Sequence, residues 1–182
     1  IIKPGIERGR IRFALFDFDG TISLIREGWQ AVMIPMMVEI LSDTPHAESE
    51  AELTGVVSEF VTRLTGKQTI YPLLHLAEEV ERRGGIPGEP MEYKHEYLKR
   101  LWTRIGDRVT DLKAGRKSPD DYIVPGALDL LAALRDREIT CYLASGTDHP
   151  YVLDEATVLG LPAFFGDHIY GALDDYQNFS KR

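Results

Sequence analysis

The chain has 182 residues, 43% of them hydrophobic, enough to bury a core and to form one domain plus an insertion. Acidic residues outnumber basic ones 29 to 21, and the net charge of −8 argues against nucleic acid or an anionic membrane as a bulk partner. Cys141, the single cysteine, lies in an apolar run and reads as a small core residue, so no disulfide framework forms within one chain. No stretch has the pattern of a signal peptide or a membrane span, which makes a soluble cytoplasmic protein the default expectation.

The first element is the run Phe13-Ala14-Leu15-Phe16, which ends on Asp17-Phe18-Asp19-Gly20-Thr21. Four apolar residues that stop at Asp and Gly predict a buried parallel strand. Open α/β sheets bind ligands beyond the carboxyl ends of their strands, and Asp17 and Asp19 fall there. Side chains two apart on an extended chain point the same way, so both carboxylates are expected to face one pocket. Gly20 frees the backbone to turn, and Thr21 can hydrogen-bond a phosphate or cap the next segment. An ordinary solvated turn has the same composition. A calcium loop does not fit, because Asp19 directly precedes Gly20 and the twelfth position is Gly28 rather than Glu.

A helical stretch follows. Trp29 to Leu41 is apolar, with Pro35 expected to start or kink a helix. Ser42 to Glu52 begins as an acidic turn, and a helix then runs to about Leu64. Leu73, Leu76, Ala77 and Val80 have helical spacing within Thr69–Arg83, which Gly84-Gly85 ends. Leu98, Leu101, Trp102, Ile105 and Val109 form a further stripe that stops near Gly115. The α/β pattern resumes with a helix after Pro125-Gly126, its face formed by Ala127, Leu130, Leu131 and Leu134. A buried strand over Ile139–Ala144 closes on Ser145-Gly146-Thr147, and a helix spans roughly Pro150 to Leu159. A weak strand comes last, at Ala163–Phe165 or Asp167–Tyr170. Ser145 would sit at the same sheet edge as the two aspartates, where its hydroxyl and the N–H groups of Gly146 and Thr147 can bind phosphate oxygens. Asp148 and His149 can line the pocket, with a helix cap or polar surface as the competing reading.

Phe16-Asp17-Phe18-Asp19-Gly20-Thr21 resembles the first motif of the haloacid dehalogenase superfamily, in its branch of phosphatases and phosphomutases. The resemblance implies that Asp17 attacks phosphorus to form an aspartyl-phosphate, and that Asp19 protonates the leaving group and then activates water. Dehalogenases of the superfamily lack this second Asp and P-type ATPases carry Thr there, so Asp19 favours phosphate esters. Ser145 matches the second motif. Lys181 is the candidate for the third, a lysine that pairs with the nucleophile and the bound phosphate, although a lysine so near a chain end is commonly solvated. Mg²⁺ is the implied cofactor, held by Asp17 and Asp19, the latter through its backbone carbonyl. The implied fold is an α/β Rossmann-like core over 1–23 and 120–182, with an all-helical cap over 24–119 inserted through crossings near Ile22–Gly28 and Arg116–Val124. In that cap, Arg63-Leu64-Thr65-Gly66-Lys67-Gln68 looks like the substrate-contacting loop of the β-phosphoglucomutase-like group, with Arg63 or Lys67 on a second anion and Gln68 on hydroxyls. A plain helix–helix turn with solvated charges is the competing reading.

The favoured activity is therefore Mg²⁺-dependent hydrolysis of a small phosphorylated metabolite. A phosphomutase using the same residues and a non-catalytic binding or regulatory module are the alternatives. The resemblance also implies a fourth, acidic motif that completes the metal site after another strand, and the sequence reaches Arg182 without one. Asp174-Asp175 is a poor substitute, since no convincing strand precedes it. With Ile1 in place of Met, the expectation is a piece of a longer polypeptide with weak Mg²⁺ binding and little turnover of its own. Phe13–Phe16 is then expected to be an uncovered hydrophobic sheet edge.

Overall fold

The structure, a computed structural model, describes residues 9–173; the candidate Lys181 and the pair Asp174-Asp175 lie outside the described residues. The first strand, β1, covers Phe13–Phe16 as the apolar run predicts. Four helices follow: α1 (Gln30–Ser42), α2 (Glu50–Leu64), α3 (Ile70–Arg82) and α4 (Pro90–Lys113). After a 3₁₀ turn at Pro119–Tyr122 come α5 (Ala127–Arg135), β2 (Thr140–Asp148), α6 (His149–Val158), the short α7 (Pro162–Phe165) and β3 (Ile169–Ala172). The chain is thus α/β, with a parallel sheet in the order β1-β2-β3 among the described residues.

Local chemistry accounts for the element ends. Ser49 and Glu52 form a capping box at the start of α2: the Ser49 hydroxyl accepts from the Glu52 amide, and the Glu52 carboxylate accepts from the Ser49 amide. Pro90 occupies the first turn of α4, where its missing N–H leaves no bond broken. Pro35 is accommodated inside α1.

Two expectations need correction, and one pair of alternatives is decided. The stripe on α4 keeps Leu101, Ile105 and Val109 and is completed by Tyr97 and Leu112; Trp102 turns outward, 47% exposed. On α5 only Leu131 is buried and Leu130 is half exposed. Residues 163–165 are helical, and the closing strand is the later candidate, around Ile169-Tyr170.

Among the described residues β1 is an outer strand of the sheet, and the full-burial expectation for it does not hold. Helices α5, α6 and α7 pack principally on β2 and β3, leaving Phe13 64% and Leu15 73% exposed at the outer strand. The two chain crossings between sheet and helices run side by side. The Leu24 amide donates to the Tyr122 carbonyl at 2.8 Å and the Val124 amide to the Ile22 carbonyl at 2.9 Å. One hydrophobic cluster continues through both layers, from Leu143 and Phe165 at the sheet through Phe18 and Ile25 to Met36, Phe60 and Leu101 in the helices.

Candidate active site

Phe18 anchors the first motif. It is fully buried and points away from its two neighbours, so Asp17 and Asp19 share the opposite side of the chain and line one cavity. The turn beyond them is tight: the amides of Thr21, Ile22 and Ser23 all donate to the Phe18 carbonyl, at 3.3, 3.0 and 2.9 Å. Gly20 makes this possible with φ at +77°, a conformation that side-chain-bearing residues resist. Gly20 and Thr21 are both exposed in this turn, and neither lines the cavity.

The second half of the site comes from β2, which runs four residues past the predicted end at Ala144. Pairing with β3 resumes at Asp148 opposite Ala172 after an irregularity, so Ser145-Gly146-Thr147 is part of a bulged strand rather than a free turn. Its alternation buries Ser145 and Thr147 together. Their hydroxyls both donate to Asp19 Oδ2, at 2.9 and 3.0 Å. The Thr147 amide donates to Ser145 Oγ at 3.0 Å, so this N–H is already engaged and is not a free phosphate donor.

Asp19 is the electrostatic centre. Burial raises its pKa above the ordinary carboxylate value; Arg26 and the two hydroxyls oppose that shift, and Asp17 adds to it. Its Oδ1 is buried with no hydrogen-bond partner among the described residues, and Arg26 Nε lies 3.9 Å away. Arg26 in turn is clamped by Glu155 of α6: Nε donates at 3.0 and 3.1 Å and Nη2 at 2.6 Å. Burial disfavours the guanidinium charge, but the Glu155 carboxylate more than offsets this and holds Arg26 above its usual range.

The helical layer closes the cavity. The loop after α2 brings Thr65, Gly66, Lys67 and Thr69 to it, and α1 and α2 contribute Met33, Val61 and Leu64. This loop rests directly on β2: the Thr69 amide and hydroxyl donate to the Gly146 carbonyl at 3.1 and 3.3 Å. A buried ion pair, Lys94 to Asp148 at 2.6 Å, ties α4 to the end of the same strand. His149 Nδ1 accepts from the Gly171 amide at 3.2 Å, a role within the fold rather than the pocket.

The structure therefore brings Asp17, Asp19, Gly146, Thr147 and Lys67 to one cavity, with Ser145 bonded to Asp19 behind it. Arg63 does not join them; it is exposed and pairs with Glu59 at 3.1 Å, one helical turn back. Gln68 is buried in a neighbouring cleft with Thr69, Lys94 and Asp148. Sequence reading missed Arg26, Trp29, Tyr97 and Glu155. The only signal for Arg26 was its place just after the motif, and none linked it to a glutamate 129 residues away.

As for a metal, the Asp17 carboxylate and the Asp19 backbone carbonyl are hard oxygen donors on two residues that line one cavity. Mg²⁺ is commonly held by one or two carboxylates with water and phosphate completing its shell, so these residues fit it. No cluster of three His, Cys, Asp or Glu occurs among the described residues. No described helix is long and apolar enough to cross a membrane.

Comparison with known proteins gives the frame for this geometry. The fold is similar to that of a protein described as a predicted phosphoglycolate phosphatase from Haemophilus somnus (TM-score 0.54, 13% identity, 93% of this chain and 67% of that one). It is also similar to a mutant of CbbY from Rhodobacter sphaeroides, solved in complex with xylulose-(1,5)bisphosphate (TM-score 0.50, 16% identity, 89% of this chain and 64% of that one). The chain thus spans about two thirds of these structures' lengths, and 58% of another from Deinococcus radiodurans, a HAD family hydrolase. No curated protein matches it by sequence. The family model for haloacid dehalogenase-like hydrolases matches residues 11–181. The chain belongs to the haloacid dehalogenase-like hydrolase family.

Proposed function

We propose that this chain carries the catalytic residues of a phosphatase acting on small phosphate monoesters. One observation carries the reading: two hydroxyls and burial hold the Asp19 carboxyl, its pKa raised, in the cavity that Asp17 also lines. A carboxyl whose pKa burial raises, beside a second carboxylate, suits the division of labour that acid catalysis and nucleophilic attack require.

In this mechanism an Asp17 oxygen forms a bond to phosphorus as the ester P–O bond breaks, and Asp19 gives its proton to the departing alkoxide. Water then attacks phosphorus, Asp19 takes up its proton, and Asp17 is released with inorganic phosphate. Ser145 and Thr147 orient Asp19 for both transfers. The Asp17 carboxylate and the Asp19 backbone carbonyl would hold Mg²⁺, which when bound offsets the charge of the phosphoryl oxygens. Lys67 adds a cation at the cavity wall. The helical layer over 24–119 acts as the cap, excluding water from the reaction.

The test is phosphate release from a panel of small monoesters in ¹⁸O-labelled water with Mg²⁺. Label is expected in the released phosphate, and Asp17→Asn is expected to abolish release. Undiminished turnover by Asp17→Asn would overturn the mechanism, and phosphoryl return to substrate without label would point to a mutase.

A further inference from the structure

Arg26 lines two spaces. One is the cavity it shares with Asp17 and Asp19; the other is a groove of about 410 Å³ at α4 and α6, which neither aspartate lines. That volume falls in the range of small-molecule sites. Here the Arg26 guanidinium sits over the Tyr151 ring of α6, 5.5 Å from its centroid.

The charge of the groove is one-sided. Arg26, His95 and Lys99 supply nitrogen donors, and no carboxylate is among the described lining residues, in a chain whose net charge is −8. Acidic residues adjacent to the lining in sequence are engaged elsewhere: Glu96 with Arg100 at 2.7 Å, Asp154 with Lys113 at 2.8 Å, and Glu155 with Arg26 at 2.6 Å. The side chains of His95 and Lys99 make no hydrogen bond or ion pair to a described residue.

The rest of the lining is apolar and aromatic. Trp102 of α4 and Tyr151 of α6 are 47% and 41% exposed, and both line the groove with Leu98, Leu101 and Ile105. The position of the indole is built into the helix. A Cβ on Gly106, one turn further along α4, would come within 3.1 Å of the Trp102 ring nitrogen, so the ring rests against the bare side of that glycine. Glycine inside a helix is destabilising, and here it makes room for a ring that the hydrophobic core does not use. A cation in the groove would meet Arg26 and Lys99. A planar anion suits both parts of the lining, because its ring stacks on the aromatic side chains while the N–H groups bond its charge.

We propose that this groove is a second ligand site, which takes a small aromatic anion by stacking on Trp102 and Tyr151 and pairing with Lys99 and His95.

Calorimetric titration of the unsubstituted protein compares indole-3-acetate with two analogues: indole-3-acetamide, which lacks the charge, and cyclohexylacetate, which lacks the aromatic ring. Indole-3-acetate is expected to bind about fivefold more tightly than either. Trp102→Leu should weaken its binding about tenfold, the scale of a lost stacking contact, and Lys99→Gln about threefold, the scale of an exposed ion pair. Both substituted side chains are exposed, and circular dichroism is expected to show the fold retained. No preference for indole-3-acetate over its analogues, undiminished affinity in Trp102→Leu, or a loss confined to Trp29→Leu, in the wall of the catalytic cavity, overturns the site. None of these readouts depends on phosphate release, so the groove and the phosphatase reading fail separately.

Discussion

The Lys67 carbonyl oxygen occupies the space where a side chain on Gly146 would begin, and a Cβ there would overlap it. Backbone meets backbone at this point, so neither partner can swing aside as a flexible side chain does. The loop between α2 and α3 is seated on β2 only because residue 146 is glycine.

Gly146→Ala is therefore expected to push residues 65–69 off β2, breaking the bonds from Thr69 to the Gly146 carbonyl. Phosphatase kcat/KM should fall on the order of 100-fold, the scale of a site misplaced by about 1 Å, with the fold retained. Steady-state kinetics and circular dichroism on the same sample check this; unchanged kinetics would show that the loop is not needed in its seated position.

The Arg26–Glu155 pair holds the linker after the first motif to α6. Glu155→Ala would leave the guanidinium charge buried and is expected to lower stability by about 3–5 kcal/mol. The double substitution Arg26→Met/Glu155→Leu should recover much of that loss, since an apolar pair of similar volume replaces the charges. Equilibrium urea unfolding measures both. Equal losses in the single and double variants would count against a stranded charge as the cause.

Asp19 opposes stability at neutral pH. Its folded pKa is raised above 3.8 by burial, so the folded state prefers the protonated form. The associated stability is fully present below about pH 3.8 and is lost as pH rises through the folded pKa. Asp19→Asn should thus raise Tm at pH 7.5 by roughly 2–4 °C, the shift that accompanies about 1 kcal/mol in a protein of this size. The gain should shrink toward zero as pH approaches 4 (about the unperturbed Asp value). Thermal melts across this range decide it, and a pH-independent gain would assign the effect to packing.

Two leucines on adjacent strands should respond in opposite ways. Leu15 on β1 is 73% exposed, and Leu15→Thr is expected to change stability by less than about 0.5 kcal/mol. Leu143 on β2 is fully buried, and Leu143→Ala should cost about 2–5 kcal/mol. Denaturant titration of the pair tests whether the outer face of β1 is as open as described.

What was legible in the residue order was local. Four apolar residues ending on Asp17-Phe18-Asp19-Gly20 marked a strand edge with two carboxylates on one side, and helical spacing marked α3 and α4, because side-chain direction follows directly from the period of each element. The second strand was legible through Ala144 but not beyond. Its continuation through Ser145-Gly146-Thr147 depends on pairing with β3 and on the seat that Thr69 makes against Gly146. Arg26 meeting Glu155, the hydroxyls of Ser145 and Thr147 meeting Asp19, and Tyr97 reaching the cavity from α4 were decided by tertiary packing alone. Periodicity states which face of an element is buried. It does not state which partner 129 residues away that face will meet, nor the burial that raises the pKa of Asp19 and the Arg26 and hydroxyl contacts that oppose it.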